Sequence, residues 1–167
     1  MTDGKAKQVR EILFGKDAIT QEMKQRCYEE ALAAYYSALG FEFASTDSCH
    51  ENGIRATFHG GLGEPFSALP HNRRDWYLPF QKRFKPLTLD DGWDMEVGDG
   101  YRELIDTPKN QQMFEGLIHA TFPHADVIEY GAKPNRSSSN TIRYMVFIPY
   151  ADLEEMMADV LGITEKE

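Results

Sequence analysis

Carboxylates are the side chains of this sequence whose clustering most clearly suggests a chemical role. Between residues 90 and 106 there are seven acids and one base, Arg102. They form no recognisable acid and base pair, so the chemistry they offer is electrostatic attraction rather than proton transfer. Trp93 and Tyr101 add rigid aromatic rings, and an apolar anchor among steering charges suits a basic protein partner. The stretch predicts a partner-binding surface made of Asp90, Asp91, Trp93, Asp94, Glu96 and Asp99.

The segment just before this stretch has the opposite charge. Between residues 71 and 85, five bases stand against Asp75, with four aromatic residues among them. Basic and aromatic side chains mixed in this way can pair with phosphates and stack on bases. The alternative prediction is a site for a nucleotide or single-stranded nucleic acid, or a small enzyme acting on such a substrate. Its residues would be Arg73, Arg74, Trp76, Lys82, Arg83 and Arg136.

Two simpler interpretations compete with these binding sites. The acidic stretch could be a solvated strand face with Trp93 buried beneath it. The bases of 71–85 could neutralise the neighbouring carboxylates of 90–106 within the same molecule. In both cases the charge pattern would serve the fold and not a partner.

Histidine and cysteine residues in the first half of the chain could suggest a metal site. The set is Cys49, His50, His59 and His71. A hairpin turning near Asn52 would separate His50 from His59 by several strand rises of about 3.4 Å. The close Cys and His spacings typical of zinc are missing, so the sequence predicts no metal and no cofactor.

Catalytic signatures are weak along the whole chain. Residues 59–63 resemble a phosphate loop, but an acid and a proline follow where lysine and a helix start would be needed. His119 and His124 flank a helix C-terminus, where an imidazole simply favours the helix dipole. One enzyme interpretation remains, with a site between the loop 60–71 and the turn 131–140, since long loops often carry function. Binding is therefore predicted ahead of catalysis.

Length and composition are typical of a folded domain. The chain has 167 residues, of which 41% are hydrophobic and 12% aromatic, enough for a core without disulfides or metals. We expect one domain over residues 1–167, with loose termini at 1–4 and 164–167. The net charge of −9 argues against duplex DNA and anionic membranes as partners.

Localisation follows from three negative observations. No stretch has the apolar length that a membrane span needs, and the charged N-terminus is unlike a secretory signal. The two cysteines, Cys27 and Cys49, form no disulfide framework. We expect a cytoplasmic protein.

The clearest structural unit runs from Thr141 to Ile163. Apolar residues alternate up to Pro149 and then recur at helical spacing until Gly162, which predicts a central strand followed by an amphipathic helix. Similar patterns predict helices at 5–14, 18–39 and from Pro108, and strands at 41–43, 54–58, 93–97 and 127–130. Residues 72–86 are expected to be mostly irregular, with one helical turn from Pro79.

These elements predict an α+β fold. We expect an antiparallel or mixed sheet of about five strands, with helices packed mainly on one face. Because 18–59 and 108–148 each read as a helix followed by a hairpin, two αββ units could lie side by side in that sheet. The functional prediction is a small acidic cytosolic binding module of inhibitor, immunity or adaptor type. A DNA-mimic inhibitor of a nucleic-acid enzyme is one form of it.

Overall fold

A computed structural model describes residues 4, 7–9, 11, 21–41, 44–49, 52–64, 74–132 and 142–163 of the chain. The α-helices whose bounds lie in the described residues are α1 (Gln21–Ala38), α2 (Arg74–Arg83), α3 (Pro108–Thr121) and α4 (Tyr150–Leu161). Residues 4, 7–9 and 11 are helical as well. The strands are β1 (Ala44–Cys49), β2 (Gly53–His59), β3 (Gly61–Leu62), β4 (Met95–Gly98), β5 (Tyr101–Leu104), β6 (Asp126–Ala132) and β7 (Ile142–Pro149). The predicted α+β class is confirmed.

The larger sheet has four antiparallel strands in the order β1-β2-β7-β6. It consists of two hairpins, β1-β2 and β6-β7, that meet where β2 pairs with β7. Each hairpin follows a helix, α1 in the first case and α3 in the second. The described strands therefore form the two αββ units that the sequence suggested, side by side in one sheet.

Alternation along β2 and β7 determines which face of this sheet becomes the core. The buried cross-strand pairs are Ile54 with Ile148, Ala56 with Val146, and Phe58 with Tyr144. The intervening residues Arg55, Met145 and Phe147 point to the other face and are half-buried. A central strand with neighbours on both sides was predicted for 141–149, and β7 is such a strand.

Helices cover the face that carries these buried pairs. Phe114 of α3 stacks on Tyr144 with ring centroids 3.8 Å apart, and Tyr36 of α1 meets Phe58 edge-on. Helix α4 packs on β2 and β7 and against α1, where Tyr28 stacks on Tyr150 at 4.2 Å. Aromatic pairs of this kind add about 0.5–1.5 kcal/mol each beyond their buried area.

A second, smaller sheet has the order β3-β5-β4 and was not predicted as a separate sheet. This sheet begins directly after β2. Gly60 accepts a hydrogen bond from the Leu104 N–H, and Leu62 forms a β-bridge with Phe41. The alternation of 93–97 indicated a strand here, which is β4. The sequence did not indicate its partner β5 or the two-residue β3. The described strands are thus divided between two sheets.

Helix α2 differs from the irregular segment expected at 72–86. Pro79 lies inside this helix of ten residues, although proline removes a backbone donor and usually breaks a helix. Tyr77, Phe80 and Phe84 are all buried, and they hold the segment against α1 and the core. Tertiary packing outweighs the local cost of the proline.

None of the helices in the described part of the chain combines the length and apolar character needed to cross a membrane.

Tyr35 offers a test of the packing beneath α1. Its hydroxyl is fully buried beside Thr121 without a hydrogen bond of ordinary geometry. Burial raises the pKa of Tyr35 above its usual value, and the Thr121 hydroxyl offsets only part of this. In the unfolded chain the Tyr35 hydroxyl ionises near pH 10, whereas in the folded state it keeps its proton. The free energy of unfolding is therefore not affected by this ionisation below about pH 10, and it falls as the pH rises above that value.

As the pH is raised from neutral to above about 10, the free energy of unfolding should therefore fall less in Tyr35→Phe than in the wild type. At neutral pH the variant should be equally stable or up to about 1 kcal/mol more stable, because a poorly satisfied hydroxyl is removed. Urea denaturation at several pH values measures both effects. Parallel stability curves for the two proteins would contradict the burial of an ionisable hydroxyl here.

Candidate functional site

The acidic stretch folds into the hairpin β4-β5, and strand alternation divides its side chains between two faces. Met95 pairs with Leu104, which is fully buried, so that face points inward. Glu96 pairs with Glu103 and Gly98 pairs with Tyr101, so these residues lie on the outer face. We call the outer face with the tip residue Asp99 the acidic hairpin surface, formed by Glu96, Asp99, Tyr101 and Glu103.

Tyr101 is the aromatic residue of this surface. Its side chain is 43% exposed, and its ring lies across Gly98, where a Cβ would collide with it. The hydroxyl donates to Glu96 Oε1 over 3.3 Å. The absence of a side chain at residue 98 thus lets the ring lie flat along the hairpin with its hydroxyl beside a carboxylate.

The electrostatic character of the surface shows in the ionisation of Tyr101. The charge of Glu96 raises the pKa of the Tyr101 hydroxyl, and partial desolvation, the hydrogen bond to Glu96 and the charge of Glu103 act in the same direction. Two carboxylates therefore act on one exposed ring, which is a local field that attracts cations.

We expect Glu96→Gln to lower the pKa of Tyr101 toward its ordinary value, because the largest source of negative charge near the hydroxyl is removed. Glu103→Gln should lower it less. The tyrosine ring carbons can be followed by NMR during an alkaline titration, with Tyr101→Phe identifying the signal. In the wild-type protein, added salt should bring the pKa of Tyr101 closer to its ordinary value, because salt screens the two carboxylates. An unchanged pKa in Glu96→Gln would show that this carboxylate does not act on the ring.

Exposed apolar side chains flank the acidic residues. Leu89 in the 3-10 turn Leu89–Asp91 is 56% exposed, and Val97 on β4 is 54% exposed but lies on the opposite face of the hairpin from Glu96. Asp90 and Asp91 in the same turn are exposed, as is Asp99 at the hairpin tip. Asp90 and Asp99 form no ion pair with any described residue. This region offers charge and apolar contact together.

Asp94 has a structural role in positioning the hairpin. Its carboxylate accepts a hydrogen bond from Thr107 Oγ at 2.8 Å, and its backbone N–H donates to the Asn110 side chain, also at 2.8 Å. The Asn110 amide donates to the carbonyls of Asp94 and Ile105, at 2.7 and 2.9 Å. One buried side chain thereby holds the residues just before β4 and just after β5 to the start of α3.

The start of α3 follows the sequence signal for it. Thr107 is the N-cap, its hydroxyl accepts from the Asn110 N–H at 3.1 Å, and Pro108 follows at the first helical position. The same cap that begins the helix therefore anchors the acidic hairpin.

Trp93 lies in the core, with 5% of its surface exposed. It is therefore not the surface anchor that the sequence suggested, and Tyr101 is the aromatic residue offered to a partner on the acidic hairpin surface. The simpler interpretation, in which Trp93 is buried, agrees with its position.

The basic segment 71–85 places its aromatic residues inward. Tyr77, Phe80 and Phe84 are buried. The Arg83 guanidinium lies over the Phe84 ring, 5.5 Å from its centroid, and pairs with Asp159 at 3.1 Å. Lys82 is exposed, whereas Arg73, Arg136 and the side chains of Arg74 and Trp76 lie outside the described residues. Within the described part, no base of this segment pairs with the acids of 90–106.

From this arrangement we expect no retardation of a single-stranded oligonucleotide in a gel-shift experiment at low salt. Three of the four rings of 71–85 are unavailable for stacking, and the net charge of −9 repels the backbone. A shifted band whose affinity falls steeply with added salt would instead favour nucleic-acid binding.

Of the histidines considered for a metal, His59 alone lies in the described residues. His59 is buried at the end of β2, whereas His50, His71 and the Cys49 side chain lie outside the described part. Among the side chains that the structure describes, no three of His, Cys, Asp or Glu converge in a way that could hold a metal ion.

The structure also contains a groove that no pattern in the sequence indicated. It has a volume of about 660 Å³ and lies between the residues after α2, the segment around Trp93, the end of α3 and one side of α4. At its wall, buried Asp152 accepts hydrogen bonds from the His124 backbone N–H at 2.7 Å and from its Nδ1 at 3.0 Å. These two residues are 28 positions apart, and no spacing in the sequence signals their contact.

Comparisons with protein-family models, with curated proteins and with solved structures found no match for this chain.

Proposed function

We infer that this protein is a binding module of inhibitor, immunity or adaptor type, which uses the acidic hairpin surface to capture a partner with a basic surface. The observation that carries this proposal is the exposed Tyr101 ring, which shares the outer face of the hairpin with Glu96 and Glu103 and donates its hydroxyl to Glu96. A rigid aromatic side chain among carboxylates combines contact area with steering charge. The proposed action takes place in the cytoplasm, in keeping with the buried thiol of Cys27, which forms no disulfide.

The position of this surface also favours recognition. It lies on a hairpin whose strand β4 is an edge of the smaller sheet in the described part of the chain. Both ends of the hairpin are held by Asn110, so the carboxylates and the ring are presented without a large ordering cost on binding.

Affinity capture from the source cell, followed by mass spectrometry, tests the proposal. The captured protein should carry a basic surface, should persist after nuclease treatment of the lysate, and should be released by salt. Retention of proteins only while nucleic acid is intact would contradict direct capture by the acidic hairpin surface.

The narrower form of the proposal is a DNA-mimic inhibitor of a nucleic-acid enzyme. Its support is the combination of a net charge of −9 with carboxylates gathered on one hairpin. If the captured partner is such an enzyme, duplex DNA should compete with this protein for it, since both would occupy one basic site. If the partner binds DNA and this protein at the same time, DNA mimicry is contradicted, and a binding module of adaptor type is the form of the proposal that stays.

A further inference from the structure

The groove between α2, α3 and α4 has the dimensions of a small-molecule site. Its volume of about 660 Å³ falls in the range of roughly 300–1,000 Å³ that such sites occupy. Much of the lining is apolar, with Phe84 and Trp93 supplying aromatic rings and Leu117 and Met156 aliphatic contacts. A flat apolar body of drug size would lose most of its water there.

Charge around the groove is unevenly divided. Four acids line it, against one arginine and one lysine. Asp152 is only 6% exposed, and the two hydrogen bonds from His124 hold its carboxylate in the wall. Arg83 pairs with Asp159 and His124 with Asp152, and the lining as a whole still has more carboxylates than the two cations Arg83 and Lys85.

Arg83 illustrates how this groove accommodates a cation. Its guanidinium lies 5.5 Å from the centre of the Phe84 ring while its Nε is 3.1 Å from Asp159. An aromatic face and a carboxylate thus act on the same positive group. Trp93, which offers the ring type that attracts cations best, lines the same groove together with Asp91 and Asp152.

We propose that the groove binds a small organic cation, a protonated or quaternary amine carried on a flat apolar body. The apolar body packs on Leu117 and Met156, and the positive group lies toward Trp93 and the carboxylates of Asp91 and Asp152. This site is separate from the acidic hairpin surface and adds a small-molecule ligand to the proposed protein partner.

Three probes of similar size separate charge from shape. They are phenyltrimethylammonium, its neutral isostere tert-butylbenzene, and the anion benzenesulfonate. Trp93 reports binding through its fluorescence, and Trp76→Phe, checked for folding by circular dichroism, leaves Trp93 as the sole tryptophan. Hydrogen exchange or NMR shifts of the lining residues give a second readout that does not depend on emission.

A neighbouring pair of aspartates provides the matched variants. Asp91→Asn removes a charge from the groove while keeping an acceptor for the Thr88 hydroxyl, which bonds to Asp91 at 3.0 Å. Asp90→Asn removes an exposed charge that does not line the groove. We expect saturable binding of phenyltrimethylammonium at millimolar concentration, weakened about fivefold by Asp91→Asn and less than about twofold by Asp90→Asn.

Three results would overturn the proposal. These are no saturable binding of the cation, equal binding of the neutral isostere, and tighter binding of benzenesulfonate, which would assign the groove to anions through Lys85 and Arg83. Because Glu96 and Asp99 do not line the groove, reversing their charges should leave probe binding unchanged. Failure here is thereby distinguishable from failure of the hairpin as a partner site.

Discussion

Asn110→Ala should lower the free energy of unfolding by about 3 kcal/mol or more. The Asn110 side chain is fully buried and makes three hydrogen bonds to backbone groups of Asp94 and Ile105. Each buried polar group left without a partner costs about 1–3 kcal/mol, and alanine can replace none of the three bonds. Urea denaturation monitored by circular dichroism measures the loss.

The adjacent residue gives a control for this prediction. Gln111 donates one hydrogen bond to the exposed Asp106, so Gln111→Ala should cost less than about 0.5 kcal/mol. Because Asn110 holds both ends of the acidic hairpin, its removal should also weaken partner capture at temperatures where the protein stays folded. A cost for Asn110→Ala as small as that for Gln111→Ala would mean that the clamp does not hold the hairpin.

The double variant Glu96→Lys with Asp99→Lys should weaken partner binding by about 30-fold at low salt. Each reversal replaces an attraction with a repulsion at a basic surface, which amounts to about 1 kcal/mol per position. The loss should appear mainly as slower association and should shrink as salt is added. The fold should persist, because the lysine introduced at position 96 would face Glu103 across the strands, a favourable pair.

The matched control reverses Glu115 and Asp126, which are exposed on α3 and β6. It changes the net charge by the same amount at positions away from the hairpin. Binding within about threefold of the wild type is expected for this control, since only the long-range field changes. Equal losses in the two double variants would assign the effect to overall charge and not to the acidic hairpin surface.

Sequence periodicity predicted the helices and strands whose conformation is determined mainly by local interactions. The alternation of 141–149 and the helical spacing of 150–161 predicted β7 and α4, down to the left-handed Gly162 that ends the helix. Thr107 and Pro108 marked the start of α3 by side-chain chemistry alone. Local signals work there because local hydrogen bonds and a buried stripe determine the structure.

Longer-range packing explains what the sequence did not predict. Pro79 locally argues against a helix, yet Tyr77 and Phe80 bury themselves in the core and α2 forms around it. Strand β5 contains Arg102 and Glu103 in four residues and has no hydrophobic alternation of its own. It becomes a strand by pairing with β3 and β4, which a pattern along the chain cannot show.

The candidate site likewise has features that the sequence predicted and features that it did not. The carboxylates of 90–106 could be identified by composition, but the choice between Trp93 and Tyr101 as the surface aromatic depended on which of the two side chains the fold buries. The groove and the contact of His124 with Asp152 depend on three helices meeting, and no spacing in the sequence predicts such a meeting.

Hydrogen exchange of the backbone amides, recorded with and without the captured partner, measures most directly where that partner sits. If the acidic hairpin surface is the binding site, amides of residues 95–104 should exchange more slowly in the complex, while those of β6 and α3 change little. Unchanged exchange across 95–104, with protection elsewhere on the molecule, would contradict recognition through this hairpin.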